Sequence, residues 1–106
     1  MGAAPETGPR QDFSAFPVAK EDLAFIVESR VPAGALQEAL AEASPLIESV
    51  RLFDLYTGEP VPAGHVSLAF NVRLRAEDHT LSEDEIAGAR AAAVQVAAER
   101  FGATLR

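Results

Sequence analysis

A chain of 106 residues with 48% hydrophobic content can bury one core unaided, and its lack of cysteine excludes disulfides, thiolate metal sites and a cysteine nucleophile. No apolar run approaches the roughly 18–20 residues of a membrane span, and no basic segment followed by an apolar run opens the chain, so a soluble cytoplasmic protein is expected. Nine Lys+Arg against sixteen Asp+Glu give a net charge of −7, which argues against a free-standing nucleic-acid binder, because such proteins displace counterions with excess positive charge.

Residues 1–15, with two prolines, two glycines and little apolar periodicity, read as a flexible tail or linker, leaving 16–106 as one domain. "KEDLAFIVES" (20–29) is rich in β-formers, with Leu23, Phe25 and Val27 on one face. Pro32 suits the first turn of a helix, where its missing N–H is no loss, and Leu36, Ala39, Leu40 and Ala43 follow at helical spacing. Ser44-Pro45 ends that helix, since the residue before proline avoids the α region.

"LIESVRLFDLY" (46–56) is a second strand, and "TGEPVPAG" (57–64) a long hairpin loop. "GHVSLAFNVRLR" (64–75) alternates strictly. Leu68, Phe70, Val72 and Leu74 face a core, while Ser67, Ala69, Asn71, Arg73 and Arg75 face away from it. In "TLSEDEI", Ser82 and Glu85 form a capping box, Leu81 can staple against Ile86, and the first-turn acids favour the helix dipole. The helix runs to about Arg100, burying Ile86, Ala89, Ala93 and Ala97, and Gly102 ends it. "ATLR" is a short last strand with Ala103 and Leu105 inward.

The order β-α-β-β-α-β predicts an α+β, ferredoxin-like split βαβ fold. Its antiparallel sheet, in order 4-1-3-2, carries both helices on one face and leaves the other open. The outward residues of the third strand then lie on an exposed sheet surface. Arginines there are also what a merely solvated strand face would carry.

Catalysis finds little support. His65 and His79 are the only histidines, and neither has a Ser-His-Asp or metal-ligand spacing around it. Helix capping accounts for Glu83-Asp84-Glu85, so no metal site is expected. Arg30, Gly34 and Asn71 lie near the places where acylphosphatases of this topology hold a phosphate loop and an asparagine. Here, however, "SRVPAGAL" is short and Pro32 removes an N–H donor. An RNA-recognition motif would stack bases on outward aromatics of its two central strands, whereas Phe70 points inward.

"FPVAKEDLAFIV", "ESVRLFDLYTG", "GHVSLAF", "HTLSEDEI" and "RFGATLR" occur in order. Together they resemble the ferredoxin-fold anticodon-binding domain that closes the β subunit of bacterial phenylalanyl-tRNA synthetases, over residues 16–106. The resemblance implies a non-catalytic appendage of a class II aminoacyl-tRNA synthetase, without a cofactor of its own. It would hold the anticodon stem-loop of tRNA(Phe), with the rest of the β subunit and the α subunit (α2β2) as partners. Asp22 and Leu23 match the family's first strand, Phe53, Asp54, Tyr56 and Gly58 its second, and Ser67, Leu68 and Ala69 its third. Thr80, Leu81 and Glu85 match its helix entry, and Gly102, Ala103, Leu105 and Arg106 its terminal motif. The family often carries basic residues at the positions of His65, Val66, Asn71 and His79, which this chain lacks.

Leu23, Phe53, Leu68, Leu81 and Leu105 are read as core or staple positions. Asp54, Tyr56, Ser67, Ala69, Asn71, Arg73, Arg75 and Arg106 remain for tRNA. Ser67 and Ala69 would form a flat surface beneath a base, and Arg73, Arg75 and Arg106 a cluster on phosphates. Asp54 is read as ordering the long loop by accepting its N–H groups, with direct base contact as the alternative. The rival reading is a protein-interaction module that docks a partner domain through the open sheet.

Overall fold

The computed structural model describes residues 16–106, and the expected tail, 1–15, lies outside the described residues. Alternating apolar side chains build β1 (Ala19–Glu28), whose Leu23, Phe25 and Val27 are buried. Helix α1 (Ala33–Ala41) follows, with Pro32 as its extended N-cap rather than its first helical residue. Proline has no side-chain acceptor to offer there, and the cap makes no side-chain hydrogen bond. The helix stops at the Glu42 cap, just before Ser44-Pro45.

Strands β2 (Ile47–Tyr56) and β3 (His65–Leu74) form the hairpin, and α2 (Glu83–Phe101) and β4 (Thr104–Leu105) complete the chain. All neighbouring strands are antiparallel, in the order β2-β3-β1-β4, which is the expected 4-1-3-2 sheet read from the other edge. One buried cluster joins Leu36 and Leu40 of α1 and Ala89, Ala93 and Ala97 of α2 to the inward residues of β1, β2 and β3. Both helices therefore cover the same sheet face. At its centre Phe25 and Phe70 pack as tilted rings, 6.4 Å between centroids. The small alanines of α2 let that helix lie close on the sheet. No described helix is long and apolar enough to cross a membrane.

The caps of α2 follow the sequence closely. Ser82 Oγ accepts from the Glu85 N–H at 3.1 Å, and Glu85 Oε1 accepts from the Ser82 N–H at 2.9 Å. Gly102 ends the helix at φ 66°, a left-handed conformation that glycine adopts without a Cβ clash. The free oxygen of Glu85 has a second role. Its Oε2 lies 2.8 Å from His79 Nε2, while His79 Nδ1 lies 2.6 Å from Asp78 Oδ1.

A neutral imidazole has one N–H, so only the protonated ring can donate to both carboxylates. The bonds to Asp78 and then Glu85 raise the His79 pKa above its ordinary 6.5. The Asp78 pKa is lowered chiefly by its bond to His79, and that of Glu85 by the Ser82 N–H first and His79 second. The histidine's contribution is thus fully present below pH 6.5 and lost as pH rises through the raised folded value. The carboxylates contribute above their ordinary values and lose this as pH falls through the depressed ones. His79→Gln is therefore expected to destabilise the chain most between about pH 5 and 6.5, and least near about pH 9. Urea midpoints of both proteins across that range check it; a pH-independent difference would exclude the ionic bridge.

Candidate nucleic-acid interface

Register converts the open face into rows that run across the strands. One row holds Ile26, Ser67 and Tyr56, and the next Ala24, Ala69 and Asp54. A third holds Asp22, Asn71 and Arg51, and a fourth Lys20, Arg73 and Ser49. Successive rows are two residues, or about 7 Å, apart along a strand. The centre is a floor of small side chains, Ala24 and Ala69, both half-buried.

Arg106 closes one end. Its N–H donates to the Ala24 carbonyl at 2.7 Å, extending the β4 edge. Its guanidinium donates to Ser67 Oγ at 3.1 Å and lies 5.6 Å from the Tyr56 ring centroid. Ser67 is consequently only 3% exposed, so it supports Arg106 rather than forming the expected flat surface. That part of the floor belongs to Ala24 and Ala69.

Tyr56 also does the work expected of Asp54. Its hydroxyl donates to the Glu59 carbonyl at 2.6 Å, and the loop is further closed by Val61 N–H to Gly58 O at 2.7 Å. Among the described residues Asp54 accepts no hydrogen bond from the loop, and its carboxylate stays exposed beside Ala69.

The arginines do not cluster. Arg73 lies three register rows from Ser67 and Arg106, roughly 20 Å along β3. Arg75, beyond the strand end, was expected to be exposed, yet its side chain is only 23% exposed and lies 3.7 Å from Glu48. Its N–H donates to the Leu46 carbonyl at 2.9 Å, tying it to the β2 entry. Arg75 is accordingly a strand-end residue more than a free phosphate ligand. Lys20 takes its place. It stands directly opposite Arg73 on the open face, a like-charge pairing that costs stability unless an anion joins it.

Charge partners divide the cations into two groups. Arg30, Arg75 and Arg90 pair with Glu28, Glu48 and Glu21. Among the described residues, Lys20, Arg51, Arg73 and Arg106 of the open face form no ion pair, although the chain holds sixteen acids.

The expected burial of Phe53 and Leu105 fails, for two different reasons. Phe53 sits at a bulge between Leu52 and Asp54 in the uncovered half of the edge strand β2, where Leu52 and Leu55 are exposed as well, and is itself 58% exposed. Leu105 pairs with Phe25 and so lies on the helix side, but a two-residue edge strand leaves it 41% exposed. Phe53, Arg51 and Lys20 are thus surface residues that the sequence reading did not assign to the site.

Comparison with known proteins decides the family. The model of the ferredoxin-fold anticodon binding domain matches residues 14–106. The chain belongs to this family. The chain is also 50% identical, over its whole length, to the phenylalanine–tRNA ligase beta subunit of Cutibacterium acnes. It is 50% identical over 98% of its length to that of Thermobifida fusca, and 51% over 93% to that of Streptomyces avermitilis. It spans only 12–13% of the length of these relatives. The cationic ends of the open face lie roughly 20 Å apart, about six residues of β3.

Proposed function

We propose that this domain holds the anticodon stem-loop of tRNA(Phe) on its open sheet face, as a non-catalytic part of a phenylalanine–tRNA ligase. Aminoacylation would occur elsewhere, in the remainder of the β subunit and the α subunit of an α2β2 enzyme. The observation that carries the reading is the set of cations without carboxylate partners among the described residues, Lys20, Arg73 and Arg106, bracketing a floor of alanines. Phosphates neutralised at the two ends would position the loop, and bases between them would meet the floor.

The net charge of −7 does not oppose this. Exposed acids such as Glu38, Glu83, Asp84 and Glu99 lie on the helices, away from the open face. Tethering within a larger enzyme would raise the effective concentration of the loop, so the domain need not bind tightly alone.

The test is fluorescence anisotropy of a labelled tRNA(Phe) anticodon stem-loop with the 106-residue chain, across a salt series. If Lys20, Arg73 and Arg106 each neutralise one phosphate, log affinity is expected to fall with log salt with a slope near −2, at about 0.7 per phosphate. Lys20→Ala or Arg73→Ala should each remove about 0.7 from that slope, whereas Arg90→Ala on the helix side should not. A slope that no open-face variant changes would remove the phosphate assignment.

A further inference from the structure

The edge strand β2 is covered over one half only. Ile47 and Val50 of its first half are buried in the core cluster with Leu36 and Leu40 of α1, and Gln37 Nε2 of α1 donates to the Val50 carbonyl at 2.9 Å. Beyond Val50 that cover ends. Leu52, Phe53, Leu55 and Tyr56 are four of the five exposed large apolar side chains among the described residues. Leu52 and Leu55 stand opposite the inward Phe70 and Leu68, so they lie on the helix side and are exposed there. An apolar strand edge of this kind is a template for another strand.

The bulge decides which strand fits. Arg51 and Asp54 are three residues apart, a spacing that puts side chains on opposite faces of a regular strand. The extra residue at the bulge brings both to the open face, in the rows of Asn71 and Ala69. Neither forms an ion pair among the described residues. Let a second β2 lie antiparallel on this edge, with a two-fold axis between Leu52 and Phe53. Arg51 then meets Asp54 of the second copy, and Asp54 meets Arg51 of the second copy. On the helix side Val50 meets Leu55, while Leu52 and Phe53 meet at the centre. Each of these pairings occurs twice, as in any isologous interface. The same rotation brings α1 of the second copy towards Leu55, which the chain's own α1 leaves bare.

We propose that a second copy of this chain docks on the outer half of β2 and joins two four-stranded sheets into one of eight strands. Charge selects this occupant. An unrelated strand would need an acid and a base at the spacing and phase of β2, which a second β2 carries by identity. Because one edge serves both copies, the assembly closes at two chains. The strip is short beside the roughly 20–30 residues a side of a standard interface, so association is weak, half complete at about 10–100 µM. The dimer does not depend on RNA binding, and it leaves both open faces uncovered on one side of the joined sheet.

The test is sedimentation velocity of the 106-residue chain over concentrations from about 5 to 500 µM. The weight-average mass should rise from that of one chain, 11.2 kDa, towards twice that value and no further. Arg51→Asp alone, or Asp54→Arg alone, sets like charges opposite each other at two places and should weaken the dimer by about tenfold or more. An equimolar mixture of these two variants restores both pairs, and should dimerise within about threefold of the wild type. Phe53→Ala should weaken the dimer by about tenfold, through lost apolar burial at the centre. All three residues are exposed, so circular dichroism of each variant should match the wild type. A wild-type chain that stays at 11.2 kDa up to the highest concentration overturns the proposal. So does a dimer that both charge variants form as readily as the wild type, a mixture no more associated than its parts, or a mass that climbs past two chains.

Discussion

Phe70→Ala is expected to bring the domain to the edge of unfolding. Phe70 is fully buried at the centre of the sheet, its ring against Phe25, in the core cluster that also holds the alanines of α2. Truncating a buried phenylalanine costs about 3–5 kcal/mol, from lost transfer energy and the cavity left behind. Small domains have about 5–15 kcal/mol in total, and one of about ninety ordered residues belongs near the lower end. The surroundings have little means of collapsing into the gap. The α2 residues of that cluster include alanines, whose short side chains cannot swing inward to fill the space of a ring. Phe53→Ala removes the same atoms from an exposed position and should change stability by only about 0.5 kcal/mol. Urea unfolding of the two variants beside the wild type measures the contrast. Equal losses would mean that Phe53 is buried in solution.

That contrast also marks how far the sequence could be read. The strict alternation of β3 and the Ser82–Glu85 pair gave the sheet and the long helix their places, because both signals lie within a few residues of one another. The site depends on residues brought together from far apart. Ser67 is covered by Arg106, thirty-nine residues away in sequence, through a contact that exists only once β4 has joined β1. Lys20 becomes a partner of Arg73 only through the register of β1 against β3. Phe53 has the same neighbours in sequence whether or not the strand bulges, so "LFDLY" alone does not say which of its residues is turned out. The family resemblance identified Asp54 and Tyr56 as special without their division of labour. The hydroxyl of Tyr56 reaches the loop backbone, and the carboxylate of Asp54 stays exposed.

Ala69→Glu should be the most damaging single change to RNA binding that leaves the fold in place. Ala69 lies between Ala24 and Asp54 in the middle of the floor, with cations at both ends of the face. A glutamate there would occupy the space beneath a base and set a negative charge between the phosphates and the groups that attract them. Stacking contacts are worth about 1–3 kcal/mol per base, so blocking one position should weaken the stem-loop by at least about fivefold. The new carboxylate would also face Asp54 across the strand pair, a like-charge contact that costs about 0.2–1 kcal/mol of stability. That is too little to unfold the domain, and a melting curve verifies it. Ala69→Gln separates the two causes, since it adds the bulk without the charge. Its affinity should lie between wild type and glutamate, and raising the salt should narrow the gap between the two variants by screening the charge alone. Ala69→Ser, nearly the size of alanine, should bind within about threefold of wild type. Wild-type affinity in the folded glutamate variant would mean that RNA does not lie on this sheet, and the open face would then be read as a surface for docking a partner domain.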